Sequence, residues 1–264
     1  MIETELNLPL GGDFLKVVRD QEHRCAESFD EWLPQAGIKA PQTMDALGTA
    51  LSYLDRIASC WWGCRKGTHA EERLVGRVAS NTRAALGLLR TGYYDEALGL
   101  VRQIGETANL ACLFVQSPES HEKWKDASEK VARKEFSPVK VRRLLEDLPL
   151  PLPMDQDTYG LLSRQFVHVN PETSPQNHNP FSLPTLGGYF QEVGALLSLN
   201  HLGGMVGWVL WLAVDFIKPP TDKKAIADAS LSLLRSIGAV DLNSVQDHFE
   251  GIRESPQTRG TWSG

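Results

Sequence analysis

At 264 residues, with 42% hydrophobic and 23% charged residues, the chain can bury a sizeable core and has an ordinary soluble globular composition, which excludes an intrinsically disordered protein. A net charge of −6 and a pI near 5.7 exclude broad electrostatic capture of nucleic acid, which needs a basic surface, although a local basic groove stays compatible with them. The opening "MIETELNLPLGGDF" lacks the basic start and apolar run of a signal peptide, so Cys25, Cys60, Cys64 and Cys112 are expected as free thiols in a reducing cytoplasm.

Helical periodicity dominates, and no alternating strand pattern stands out. A first helix is expected from about Asp13 to Leu33, broken by Pro34 and Gly37; a second from about Gln42 to Lys66; a third from about His69 to Arg90; and a fourth from about Tyr93 to Gln116. Gly92 is placed to end the third helix in a left-handed turn, and Asp95 and Glu96 suit the positive end of the fourth helix dipole. The third and fourth helices therefore read as a tight antiparallel hairpin.

Ser117-Pro118 opens a charged, peripheral fifth helix, from about Glu119 to Arg133, and Ser137-Pro138 starts a sixth that runs to Asp147. "LPLPLP" follows as an extended linker. A seventh helix spans about Asp155 to His168, and "NPETSPQNHNPFSLPT" is a polar, proline-broken loop of the kind that covers or completes a site.

From Val193 to Val214 there is no charge, a length close to that of a membrane span. Ser198, Asn200, His201 and four glycines favour a buried central helix instead. Beyond Pro219-Pro220, two amphipathic helices are expected to close the chain near Arg253, leaving 254–264 as a disordered tail. "GYYDEALGLVRQ" resembles one piece of a tetratricopeptide unit but occurs once. The expected architecture is a single all-α domain over 1–253, a bundle of about nine or ten helices around a long apolar central helix.

Some polar groups sit awkwardly in that bundle. On the apolar fourth helix, Arg102, Glu106 and Asn109 share one narrow face. This is either a solvent-facing intrahelical pair, the floor of a cleft, or an internal network that fixes packing, because bare buried charge is costly. On the seventh helix Tyr159, Leu162 and Phe166 can face the core, while Leu161, Arg164 and His168 share another face. Asn170 precedes Pro171 and so ends the helix, which puts His168 in the last turn. An arginine that neutralises phosphate oxygens beside a histidine that moves protons suits phosphoryl chemistry; the alternative is a histidine that caps a helix end.

In "CWWGCRKGTH", Cys60 and Cys64 at one-turn spacing with His69 beyond could share a zinc. Aromatic neighbours and the want of a fourth ligand favour small buried cysteines, so no metal is expected. Walker, G-x-S-x-G and H-E-x-x-H signatures are absent from the sequence.

The hairpin "RAALGLLRTGYYDEALGLVRQIGETANLACLF" followed by "YGLLSRQFVHVNP" resembles a group of bacterial all-helical proteins of unknown function related to the HEPN superfamily. In these, a helix with an arginine and a glutamate one turn apart packs near a later helix that ends in a Ser-x-x-x-x-His-like motif, here Arg102, Glu106, Ser163 and His168. The similarity runs from about Leu47 to Glu172, and the HEPN-like core it implies extends over about 47–217.

The resemblance implies a cytoplasmic protein of antiviral defence or toxin–antitoxin type that acts as a metal-independent endoribonuclease without a cofactor. Arg102 and Arg164 would hold the scissile phosphate, His168 would transfer a proton during attack by the ribose 2′-hydroxyl, and Glu106 would orient an arginine or the histidine. Tyr159, Ser163, Asn170 and Asn109 would complete the binding surface for RNA. A homodimer would bring two sites together, and an antitoxin or defence-complex protein would be a partner. Other members of the superfamily are inactive binding or dimerisation modules. Two features favour that alternative, an interaction or sensor subunit: the acidic net charge, and the mere three residues between Arg164 and His168, where the family's usual signature has four to six. A ribonuclease would bring Arg102, Arg164 and His168 together at an open basic cleft; a scaffold would bury or disperse them. A third expectation, a membrane-associated effector acting through 193–214, completes the set.

Overall fold

The computed structural model describes residues 11–62, 69–146, 152–216 and 220–238. Among them every regular element is helical: α1 (Gly12–Trp32), α2 (Lys39–Ala58), α3 (Ala70–Arg90), α4 (Tyr94–Gln116), α5 (Pro118–Lys125), α6 (Glu129–Glu135), α7 (Pro138–Glu146), α8 (Gln156–Phe166), α9 (Glu192–Ala213) and α10 (Pro220–Ser236). Short 3-10 turns follow α1 at Leu33–Gln35 and α9 at Val214–Phe216. The all-α bundle of about ten helices expected from the 3.6-residue pattern is present.

Its axis is α9, apolar around the whole circumference. Every residue from Leu202 to Val214 is buried, and the helix packs against α2, α3, α4 and α10. The stretch Glu192–Phe216 is long and apolar enough to cross a bilayer, but 72% of its most apolar window is enclosed by the other helices, as in the core of a soluble protein. Gly207 allows a close approach of α10: a Cβ there would fall 2.8 Å from the Leu234 side chain, and α10 comes near enough for Ser230 Oγ to donate to the Gly207 carbonyl at 2.8 Å. The second central helix is α4, flanked by α3, α5, α7, α8 and α9.

Local chemistry explains where most helices stop and start. After α3, Gly92 adopts φ 81°, the Tyr93 amide donates to the Leu88 carbonyl at 2.9 Å and the Gly92 amide to the Leu89 carbonyl at 3.4 Å. This is the glycine-closed helix end expected from the sequence, and it forms the α3–α4 hairpin. Ser117 caps α5 by accepting from the Ser120 amide, and Asp155 caps α8 by accepting from the Thr158 amide at 2.7 Å.

Three expected boundaries need correction. The single charged helix from Glu119 to Arg133 is two helices, because Ser128 accepts from the Val131 amide and starts α6 afresh. The second helix stops at Ala58 instead of Lys66, since Cys60 takes φ 53°, a left-handed geometry that a right-handed helix cannot continue through. The seventh helix, here α8, ends at Phe166, so His168 lies beyond its last turn; there the His168 backbone amide, not its ring, closes the helix by donating to the Ser163 carbonyl at 2.9 Å. The "LPLPLP" linker other than its last two residues, the helix expected near Arg253 and the 254–264 tail lie outside the described residues.

Candidate functional site

The polar stripe on α4 points at α7 and α8, and it is engaged there. Arg102 Nη2 lies 2.8 Å from Glu106 Oε1 one turn on, and the same nitrogen donates to the Tyr159 hydroxyl of α8 at 2.9 Å. The Tyr159 ring packs against two guanidinium groups, with Arg102 Cζ 4.9 Å and Arg142 Cζ 4.4 Å from its centre. Arg142 comes from α7 and is almost fully buried; its Nε lies 3.7 Å from Glu146. Burial pushes the Glu106 carboxyl above its ordinary range, against the opposing pull of Arg102 and Arg142. The solvent side of Glu106 opens onto a shallow groove of about 390 Å³ that Arg77, Asn81, Gln103 and Phe136 also line.

One turn further along α4, Asn109 is buried and uses both polar atoms on one peptide: Nδ2 donates to the Met154 carbonyl at 2.8 Å, and Oδ1 accepts from the Met154 amide at 3.0 Å. This pair fixes the segment that leads into α8. Ser163, also buried, faces the bundle from α8. Arg102, Glu106, Tyr159 and Asn109 are thus brought together along the α4–α8 contact, and Arg142 joins them. Arg142 was missed by the sequence reading because "VKVRRLLE" resembles any amphipathic surface helix; the faint signal is that Val141, Arg142 and Leu145 share one side.

Arg164, His168 and Asn170 are elsewhere, exposed at the end of α8. Arg164 lies back over its own helix, so that a Cβ at Gly160 would meet its Nη1 at 3.0 Å. Asn170 is a turn former: Oδ1 accepts from the Glu172 amide, its own amide donates to Thr173 Oγ1, both at 2.8 Å, and Nδ2 reaches the Arg164 carbonyl at 3.4 Å. Among the described residues no hydrogen bond or ion pair links Arg164 or His168 to Arg102 or Glu106.

The loop after α8 holds a network that the sequence reading did not find. Gln176 Oε1 accepts from the Tyr94 amide at 2.9 Å and so caps α4 from 82 residues away, while its Nε2 donates to Glu96 Oε2 at 2.6 Å. Asp95 accepts from the Gln176 amide and pairs with His178 Nε2, each at 2.8 Å. Tyr94 Oη accepts from the Gln191 amide at 2.9 Å, and Gln191 Nε2 donates to the Gln176 carbonyl at 2.9 Å. Asp95 and Glu96, expected only to suit the helix dipole, are therefore also anchors for the loop. Outside the network the same segment exposes Val169, Phe181, Leu183, Leu186 and Val193, with Val169 90% accessible.

The cysteines divide. Cys25 and Cys112 are buried, and desolvation raises their thiols to about 11 and about 12 respectively, so both are poor nucleophiles. Cys60 is half-buried instead of packed away as expected, with Sγ 3.5 Å from His69 Nδ1; Cys64 lies outside the described residues. No protein-family model, no curated protein and no solved structure matches this chain, so the HEPN-like resemblance stands on the quoted residues alone.

Proposed function

We propose that this chain is a HEPN-like helical module of bacterial antiviral defence or toxin–antitoxin type, which works in the cytoplasm as a non-catalytic interaction or sensor subunit and forms a homodimer through the 167–193 face. The observation that carries this reading is the division of the four candidate catalytic residues. Arg102 and Glu106 are engaged in the clasp that joins α4 to α8, whereas Arg164 and His168 lie outside it. Cleavage of a phosphodiester needs its cations and its proton donor within hydrogen-bond reach of one phosphate.

The dimer face has its own support. The loop presents large apolar side chains on a backbone already held by Gln176, His178 and Gln191, so little ordering is required when it docks. Residues 173–191 contain no Asp, Glu, Lys or Arg, and the two glutamates of the face, Glu172 and Glu192, stand at its ends. On a chain of net charge −6, such a patch is where a second copy can pack without setting like charges against each other.

The second reading is the metal-independent endoribonuclease, favoured by the joint exposure of Arg164 and His168 beside the same face, where two copies would bring two Arg–His pairs close. Two measurements test the choice. Light scattering on the full chain is expected to give a dimer, which Phe181→Asp with Leu186→Asp converts to a monomer; a monomeric wild type overturns the dimer. Labelled tRNA and mRNA in EDTA are expected to stay intact. Cleavage by the wild type but not by His168→Ala, with 2′,3′-cyclic phosphate ends, replaces the interaction reading with the ribonuclease.

A further inference from the structure

The connection between α2 and α3 carries a second cluster of reactive side chains, apart from the α4–α8 clasp. Cys60 stands two residues beyond the end of α2, His69 immediately precedes α3, and Glu72 lies in the first turn of α3. Cys60 Sγ is 3.5 Å from His69 Nδ1, the same nitrogen is 3.9 Å from Glu72 Oε1, and all three atoms fall within 4.8 Å of one another. We propose that Cys60, His69 and Glu72 bind a zinc ion through one thiolate, one imidazole nitrogen and one carboxylate oxygen, with a fourth position left for water or another ligand.

The distances are those of a tetrahedral site. With Zn–S near ~2.3 Å and Zn–N near ~2.0 Å, a tetrahedral angle places sulfur and nitrogen ~3.5 Å apart, the separation found. The carboxylate stands farther from the nitrogen than the ~3.3 Å that the same geometry requires. A small rotation of the Glu72 side chain, which lies in the first turn of α3, would close that gap.

The arrangement fits a metal better than an acid–base relay. In a Cys–His–Glu relay the histidine faces the thiol with one ring nitrogen and the carboxylate with the other, so that a proton taken from one side is supported from the other. Here both neighbours converge on Nδ1, which has a single lone pair or a single proton to offer. One cation between the three satisfies all of them. A thiolate and a carboxylate also balance the two charges of zinc, which offsets the unfavourable placement of a cation at the positive end of α3.

The backbone on both sides is set for this convergence. Cys60 and His69 hold φ of 53° and 52°, a left-handed geometry that costs a side-chain-bearing residue ~1–2 kcal/mol in each case. The turn at Cys60 ends α2 early and directs its sulfur toward the start of α3. A bound ion would then tie the end of one core helix to the beginning of the next, through two ligands nine positions apart in the chain.

The test is metal binding to the full-length chain after treatment with a chelator and its removal. Cobalt(II) added to the wild type is expected to give a thiolate-to-cobalt charge-transfer band and the intense visible bands of tetrahedral cobalt, both abolished by zinc. Cys60→Ser and His69→Ala lose the bands, Glu72→Gln weakens binding at least about tenfold, and Cys112→Ala keeps both bands and affinity. Circular dichroism checks each variant, and should Cys60→Ser unfold, His69→Ala and Glu72→Gln carry the test. A wild type with no charge-transfer band, or bands that persist in both Cys60→Ser and His69→Ala, overturns the site and leaves a thiol–imidazole hydrogen bond. The readout depends on neither the oligomeric state nor RNA cleavage, so this inference and the proposed function fail separately.

Discussion

Arg102 and Arg164 both come from polar stripes on apolar helices, yet they end in opposite surroundings. Arg102 is shut against Glu106 and Tyr159 between α4 and α8; Arg164 lies on the outside of α8, folded over Gly160. The difference comes from the neighbours. α4 is wrapped by α3, α5, α7, α8 and α9, so its polar stripe has to find partners within the bundle. α8 touches the bundle along one side only, and its second polar face stays in water. A charge on a helix is thus a site candidate only once the number of helices packed on that face is known.

The clasp is the place to break this contrast most severely. Glu106→Ala leaves Arg102 without its paired carboxylate, and a loss of about 2–3 kcal/mol is expected in denaturant unfolding, somewhat below the value for a fully buried pair because Arg102 and Glu106 keep some solvent contact. Glu106→Gln should cost less, since the amide oxygen still accepts from Arg102. The pH dependence has a definite sign. Burial raises the folded carboxyl, so the folded state binds the proton more tightly, and this residue's contribution is largest in acid and falls as pH rises through the raised value. Glu106→Gln should remove that decline; an unchanged pH profile would show that the carboxyl is not desolvated.

Glu71 sharpens the same comparison from the other side. A hydrogen bond from His121, 3.2 Å away, is the main cause that lowers its carboxyl to about 2, so its contribution is present above the ordinary carboxylate range and is lost as pH falls through about 2. Glu71→Gln is expected to remove on the order of 2 kcal/mol near neutrality and to flatten the acid limb of unfolding, with a steep remaining limb pointing to another carboxylate.

A milder cut is Tyr159→Phe, which keeps the ring against the two guanidinium groups and deletes only the acceptor for Arg102. About 1 kcal/mol is expected. A loss several times larger would mean that the hydroxyl, not the stacking, organises the clasp. The smallest effects belong to the open end of α8, where Arg164→Ala and His168→Ala should each change stability by less than about 0.5 kcal/mol. A marked drop in thermal midpoint for His168→Ala would make that end structural after all and dissolve the contrast between the two regions.

Much of the fold was legible because its signals are short in range. Gly92 closing α3, Ser117 and Asp155 capping the helices after them, and the uncharged run that became α9 all act within a few residues or along one helix. The misread boundaries have equally local causes, at Cys60 and Ser128, but ones that composition does not announce: a left-handed cysteine is rare, and a serine inside a charged run need not cap anything. At the candidate site the contact between Arg102 and Glu106 was readable from their spacing of one turn. The arrival of Tyr159 from 57 residues away, and of Arg142 over its ring, was not.

By itself the sequence determined an acidic, all-helical chain with a central apolar helix, the α3–α4 hairpin and the stripe that pairs Arg102 with Glu106, because backbone hydrogen bonds and helical periodicity couple residues only over a turn or two. Tertiary structure alone decided that Gln176 caps α4, that His178 meets Asp95, that Arg142 is drawn inside while Arg164 stays out, and that Cys60, His69 and Glu72 converge. These meetings depend on which helix faces touch and at what distance. Side-chain chemistry permits many such pairings, and only the packing of the whole bundle selects among them.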